Sequence, residues 1–276
     1  MKINEIIKFC SIQISLVDIE KVTSELITNK LIIKNNEYYY LSSNDELIIQ
    51  NRKINEERAK KSEKKIKKYS KLICSFPFVE NLCISGSFSK GILTVDGDID
   101  YFIICQPNRL WLCRSLLILY KKIFLLNSKK YFCVNYFIDT NTLVIPDKNI
   151  YTATEIATLI PINNISLFSR FINENLWVYK QFPNINENRT TPYFNYTKNK
   201  ISQLIEKCFG GNLGNKLDDY LLKLTLKTWK KKFPHFNTID FKLNMRSKKY
   251  TSKHHPQGFQ SKVLLEIDKK LQNYIH

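Results

Sequence analysis

The chain has 276 residues, 43% of them hydrophobic, which allows one large or two to three small domains with real cores. Its seven cysteines, an odd number without a C-x-x-C pair, argue against a disulfide framework or a structural zinc site and fit reduced core thiols in a cytoplasmic protein. The formal charge of +18 attracts polyanions, yet only seven of the 43 basic residues are arginine, and that lysine-rich skew is what an AT-rich genome gives any protein, so nucleic-acid binding through basic surface stays open beside background bias.

Residues 1–50 read as a winged-helix-like domain. Ile3, Ile6, Ile7 and Phe9 suit one short helix, and Ser15 three residues before Asp18 caps a second that carries Ile19, Val22, Leu26 and Ile27 on one side. Leu31–Lys34 and Glu37–Leu41 then form a hairpin around Asn35-Asn36. Such a module docks on nucleic acid by its second helix or serves in packing and dimerisation; Glu20 and Glu25 beside Lys21 and Lys30 favour the latter. No signal-peptide pattern is read in Met1–Glu5. Residues 51–75 form a connecting helix with Ile54, Ile66, Leu72 and Ile73 as apolar contacts, ended by Phe76-Pro77-Phe78. Its basic run, Lys60–Lys68, either steers a polyanion or is a solvated face.

A third unit spans 76–183. Leu82–Ser85 is an apolar run that ends at Gly86-Ser87, read as a buried strand turning into a helix whose first residues are Ser87–Lys90. A helix start there points free N–H groups at an anion. After residues 88–97 come Asp98-Ile99-Asp100 and the apolar run Tyr101–Cys105, a second strand. Residues two apart on a strand share a face, so Asp98 and Asp100 project together while Ile99 and Tyr101 enter the core. Two carboxylates beside a phosphate-binding turn suit Mg2+, which takes one or two carboxylates plus substrate phosphates.

Asn108 is a candidate cap for a helix over Arg109–Leu126, with Trp111, Leu112, Leu116, Leu119, Ile123 and Phe124 buried. Arg114, Lys121 and Lys122 interrupt that segment, so it does not span a bilayer; Arg109 and Arg114 either reach phosphate or ribose or are charged ends of a buried helix. Strands are predicted at Tyr131–Ile138 and Thr142–Ile145. Thr152 with Glu155 three residues on gives a capping-box pattern, which competes with Glu155 as metal ligand or general base. One more helix covers Leu167–Phe182, carrying Phe168, Phe171, Ile172, Leu176 and Trp177.

The remainder, 184–276, reads as a linker (Asn184–Lys200) and a helical C-terminal region with helices at Ile201–Phe209, Leu213–Lys232 and Phe259–Tyr274. Gly210–Gly214 has no strand before it and is a turn rather than a phosphate loop. Arg246–His255, with His254-His255, is read as a disordered, solvated loop or as a phosphate contact.

Gly86-Ser87, the gap of residues 88–97, then Asp98-Ile99-Asp100-Tyr101 resembles the Gly-Ser…Asp-x-Asp signature of the DNA polymerase β-like nucleotidyltransferase superfamily. The wider layout is similar to bacterial proteins with a winged helix ahead of such a domain. The resemblance implies an α+β fold: a nucleotidyltransferase palm, built as a small mixed sheet with helices, flanked by the winged helix and the C-terminal helices. It implies that Gly86 and Ser87 hold the triphosphate, with Lys90 neutralising charge, and that Asp98 and Asp100 bind Mg2+. Many members carry a third acid on a later strand, where this chain has Asn135; Asp139 or Glu155 would replace it, or the site uses two carboxylates. The expected reaction is Mg2+-dependent transfer of a nucleoside monophosphate, from ATP or another NTP, to an acceptor hydroxyl of RNA, protein or a small molecule. The alternative is a non-catalytic nucleic-acid-binding or regulatory protein with a degenerate domain.

Overall fold

The structure is a computed structural model and describes residues 1–43, 47–185 and 198–275. At the N-terminus, α1 (Ile3–Lys8), α2 (Leu16–Thr28) and the antiparallel pair β1 (Ile32–Asn35) and β2 (Tyr38–Leu41) form a small helix-hairpin unit. Ser15 caps α2 as predicted, its hydroxyl accepting from Asp18 N–H at 3.1 Å. The hairpin turn falls on Asn36-Glu37, one residue later than expected, with Asn36 at φ 53°. That register turns Tyr38 and Tyr40 inward to pack with Ile49. Val22, expected on the apolar side of α2, is exposed.

The connecting helix α3 (Leu47–Cys74) starts more than a turn earlier than expected, so that Ile49 reaches the hairpin. Arg52 ties the units together, donating to Glu5 at 2.6 Å and Glu56 at 2.8 Å. Ala59, Ile66 and Ile73 recur at helical spacing and lie buried, whereas Ile54 faces solvent.

Six strands follow in the order β6-β3-β4-β5-β8-β7. They are β3 (Val79–Ser85), β4 (Asp100–Cys105), β5 (Cys133–Asp139), β6 (Ile160–Pro161), β7 (Ser247–Lys248) and β8 (Thr251–Lys253). β3 and β4 are antiparallel, and β4 and β5 are parallel, joined through α4 (Leu110–Phe124). Alternation assigns the faces: Leu82, Ile84, Tyr101 and Ile103 pack under α3 and α4, while Cys83, Phe102 and Ile104 pack under α5 (Ile150–Thr158), α6 (Ile165–Asn173) and α7 (Trp177–Gln181). The chain is thus mixed α and β around a six-stranded mixed sheet, as the expected fold class requires at that level.

Four expectations change. Thr142–Ile145 forms no strand; Asn175 bonds Ile145 N–H at 2.9 Å and Leu143 C=O at 2.9 Å and so replaces a strand partner. The same use of Asn175 interrupts the helix predicted over 167–182, which is split into α6 and α7. On α4, Trp111, Leu112 and Leu117 are buried, but Leu119, Ile123 and Phe124 are exposed, Phe124 at 67%, because the sheet covers one side only. Asn108 does not cap α4; it sits in the left-handed region and its N–H meets Asp139 at 3.3 Å.

Helices α8 (Lys200–Phe209), α9 (Asn212–Lys232) and α11 (Phe259–Ile275) fall where expected, with Gly210–Gly211 a turn between the first two. Of the predicted linker, residues 186–197 lie outside the described residues. The helix α10 (Thr238–Asn244) was not expected, and Arg246–His255 is no solvated loop: it makes the β7–β8 hairpin, and β8 pairs antiparallel with β5. All seven cysteines are free. No described helix is long and apolar enough to cross a membrane.

Candidate functional site

The site sits at the end of the sheet where β3 finishes and β4 begins. Ser85 lies opposite Asp100 in the β3–β4 ladder, and Gly86 follows with φ +68°, a conformation that L side chains resist. The α-carbon of Gly86 presses on the Asp100 carboxylate so closely that an added Cβ would stand 2.3 Å from Oδ2. The helix expected over Ser87–Lys90 is only one 3-10 turn, Phe88–Lys90, closed by Gly91 in the left-handed region. It therefore offers no extended helix dipole, and any anion held there is held by the turn itself.

Asp98 lies just outside the strand, which starts at Asp100. Ile99 is already sheet-like, its N–H donating to Lys130 C=O and its C=O accepting from Cys133 N–H, so the alternation holds: Ile99 and Tyr101 are buried, and Asp98 and Asp100 open into one cavity. This cavity of about 1020 Å³ is also lined by Gly86, Ser87, Asn135 and Glu155. Its size lies at the top of the usual range for small-molecule sites.

Asn135 occupies a bulge in β5, since Tyr101 pairs with Val134 and Phe102 with Tyr136. The bulge aims its amide at the neighbouring strand, where Nδ2 donates to Asp100 Oδ1 at 2.9 Å. Asn135 thus orients a carboxylate instead of replacing one. Glu155 is not a capping residue: Asn149 caps α5 by accepting from Thr152 N–H at 3.0 Å, which leaves Glu155 in the helix body. Its carboxylate accepts from Gly86 N–H at 3.3 Å and from Lys90 Nζ at 2.8 Å, and Lys90 also donates to Gly86 C=O at 2.9 Å. Lys90 braces the turn from behind and does not line the cavity. Asp139 cannot serve here, because it ends β5 opposite Cys105, at the other end of the parallel pair, where it accepts from Asn108 and Asn141 N–H.

Among the described residues no group of three or more His, Cys, Asp or Glu side chains is arranged to hold a metal ion. The donor set fits a hard cation in another way, since Asp98 and Asp100 together meet what Mg2+ takes from protein when substrate oxygens and water complete its shell. Electrostatics agree with a place prepared for positive charge. Burial pushes the Asp100 carboxyl up to about 6 from 3.8, and Glu155 and Asp98 push the same way, against hydrogen bonds from Cys133 and Asn135. Because the folded value exceeds the unfolded one, the native state binds more protons between these two pH values, and stability falls as pH rises through that window. The shift corresponds to about 3 kcal/mol. Asp100→Asn is therefore expected to raise the Tm at pH 8 without added metal, and the gain over the native chain should vanish near pH 4 in calorimetric scans. Gly86→Ala should have the opposite effect, costing about 1–3 kcal/mol in urea melts from its backbone conformation and the clash with Asp100.

The far side of the cavity is basic, and of the two arginines offered as reaching phosphate or ribose it takes Arg114. Arg114 and Lys121 of α4, Lys232 of α9 and His254 and His255 after β8 all line it. The sequence offers the histidine pair as a phosphate contact, but the pairing of β8 with β5 that delivers it has no local signal. Burial first, and Arg114 next, hold His254 down to about 3; burial and Lys253 hold His255 down to about 4, so both are neutral at pH 7. Arg109 takes no part in the cavity, since it clamps the α8–α9 turn.

No family model, curated protein or solved structure matches this chain.

Proposed function

We propose that the chain is a Mg2+-dependent nucleotidyltransferase that moves a nucleoside monophosphate, most simply AMP from ATP, to an acceptor hydroxyl and releases pyrophosphate. One observation carries this reading: Asp98 and Asp100 converge on a single cavity beside the Gly86-Ser87 turn. Asp98 and Asp100 would hold the metal, which when bound compensates charge on the triphosphate and lowers the cost of in-line displacement at the α-phosphorus. Asn135 fixes the Asp100 carboxylate through its amide and keeps one oxygen in place. Ser87, whose hydroxyl has no hydrogen bond among the described residues, would donate to the β and γ phosphates together with the backbone of the turn. The Gly86 N–H now bonds Glu155, so a phosphate taking it would leave that carboxylate to Lys90 alone.

The test is to incubate the protein with α-labelled ATP, GTP, CTP or UTP, Mg2+ and a cell extract, and to follow label into RNA, protein or small molecules. Label entering none of them in any arm would count against the reading. Asn135, a neutral amide bonded to Asp100 where the resemblance looks for a third acid, favours a second one, a nucleotide-sensing or nucleic-acid-binding protein on a degenerate palm. It predicts binding indifferent to Mg2+ and to loss of Asp98. The free cysteines are in keeping with a cytoplasmic setting.

A further inference from the structure

Arg114 is 8% exposed and Lys121 7%, and neither makes an ion pair or a side-chain hydrogen bond among the described residues. Buried cations are normally paired, because leaving water costs far more than packing returns. The Arg114 guanidinium carbon lies 4.7 Å from the Trp229 centroid and 5.7 Å from that of Trp111, contacts that favour a cation but supply no counter-charge. Lys121 stands two turns further along the same face of α4. Both line the cavity that contains Asp98 and Asp100, and Lys129 and Lys232 stand exposed at its rim. The positive groups act on common neighbours: Arg114, Lys129 and Lys232 all bear on His254, and Arg114 and Lys129 bear on Lys121, whose pKa is lowered chiefly by burial. Asp98 gives Lys121 some compensation from a distance, but among the described residues no carboxylate pairs with either cation.

Position in the sheet separates this cluster from the Gly86-Ser87 turn. The turn follows β3, on one side of β4, whereas α4 packs over β5 and β8 on the other. We propose that Arg114 and Lys121, with Lys129 and Lys232 at the rim, form a second phosphate subsite, across Asp98 and Asp100 from the turn. Resting on the transferase reading, this subsite holds a phosphate of the acceptor, whose hydroxyl then faces the carboxylate pair. The acceptor is thus a phosphorylated molecule, either a nucleic-acid strand or a free phosphate ester. A planar guanidinium and a nearby ammonium suit a phosphate oxygen set, the first by forked donation and the second as a point charge.

The experiment is titration calorimetry in EDTA, without NTP, so that it does not depend on catalysis. Inorganic phosphate and a single-stranded oligoribonucleotide are the two probes, tested on the native chain, Arg114→Gln, Lys121→Gln, Arg114→Lys and Asp98→Asn. Arg114→Gln and Lys121→Gln should each weaken inorganic phosphate about tenfold, Arg114→Lys should recover part of the loss, and Asp98→Asn should bind at least as well as the native chain. Lys121→Gln guards against a folding failure at the stacked arginine, and each variant is checked by its thermal melt. Oligonucleotide binding that falls in parallel, and is displaced by phosphate, identifies a strand as the source. Oligonucleotide binding untouched by both substitutions identifies a free phosphate ester. Phosphate that binds native and substituted chains equally, or binds none of them, overturns the subsite. Active transfer with such a result would leave the transferase reading standing, whereas a sensitive subsite without transfer would remove the transferase reading alone.

Discussion

Replacing Asp98 and Asp100 together by alanine is expected to lower nucleotide transfer by about 1000-fold or more, while the circular dichroism spectrum stays that of the native chain. The magnitude follows from what the pair would hold: removing one preorganised charge-stabilising contact at a transition state typically costs two to three powers of ten, and here the whole metal site is lost. The fold should tolerate the change, because both carboxylates face the cavity and the core residues between and after them, Ile99 and Tyr101, are untouched. Removing a buried carboxylate that burial and like charge already disfavour should if anything stabilise the ligand-free protein. For the native chain, the proposed transfer should rise with pH through about 6 as Asp100 ionises, since the metal would need the charged form, and high Mg2+ should shift that rise to lower pH. Rates measured with radiolabelled ATP across pH 5 to 8 would show it; unchanged turnover in the double alanine variant would refute the assignment.

Arg109→Ala should produce the largest loss of stability away from the cavity. The guanidinium donates to Phe209 C=O at 2.6 Å, Gly210 C=O at 2.5 Å, Gly211 C=O at 2.9 Å and the Asn215 side chain at 2.5 Å. The Phe209 and Gly210 carbonyls end α8, where a helix has no partners of its own to offer, and Gly211 begins the entry to α9. Gly214 lets α9 approach them, since a Cβ there would lie 1.8 Å from Phe209 O. Truncating this buried arginine removes four charge-assisted hydrogen bonds at once, and a cost of about 3 kcal/mol or more in urea denaturation is expected. Arg109→Lys should recover little, because one ammonium cannot span the same fork. A loss below about 1 kcal/mol would mean that water takes over the carbonyls and that the clamp is not what closes α8 on α9.

Much of this was legible in local sequence. Helices with a strong apolar stripe and a clear stop, such as α3 before Pro77 and α8 and α9 around Gly210-Gly211, lie within a few residues of their predicted bounds, except for the early start of α3. The convergence of Asp98 and Asp100 was also legible, since alternation in an extended segment survives even though the named strand starts only at Asp100. Of the two readings of Glu155 the capping one fails, because Thr152-x-x-Glu155 is a capping pattern only when Thr152 precedes the helix, and Asn149 takes that position. Asn135 shares the cavity with Asp98 and Asp100, but its bond to Asp100 depends on a bulge, which no pattern of side chains announces. The β7–β8 hairpin was missed for a related reason: Ser247–Lys253 has no apolar alternation, and its strands exist because β5 offers an unpaired edge.

That edge has a consequence for how the molecule is made. During synthesis β3, β4 and β5 leave the ribosome long before β8, and until Thr251–Lys253 emerge the hydrogen-bonding groups of Tyr136–Ile138 that face away from β4 have no strand to meet. A nascent chain stalled after α9, or one cut short by a premature stop in that region, would carry an open template that neighbouring copies can extend, so such fragments should accumulate as insoluble aggregates instead of as a smaller folded protein.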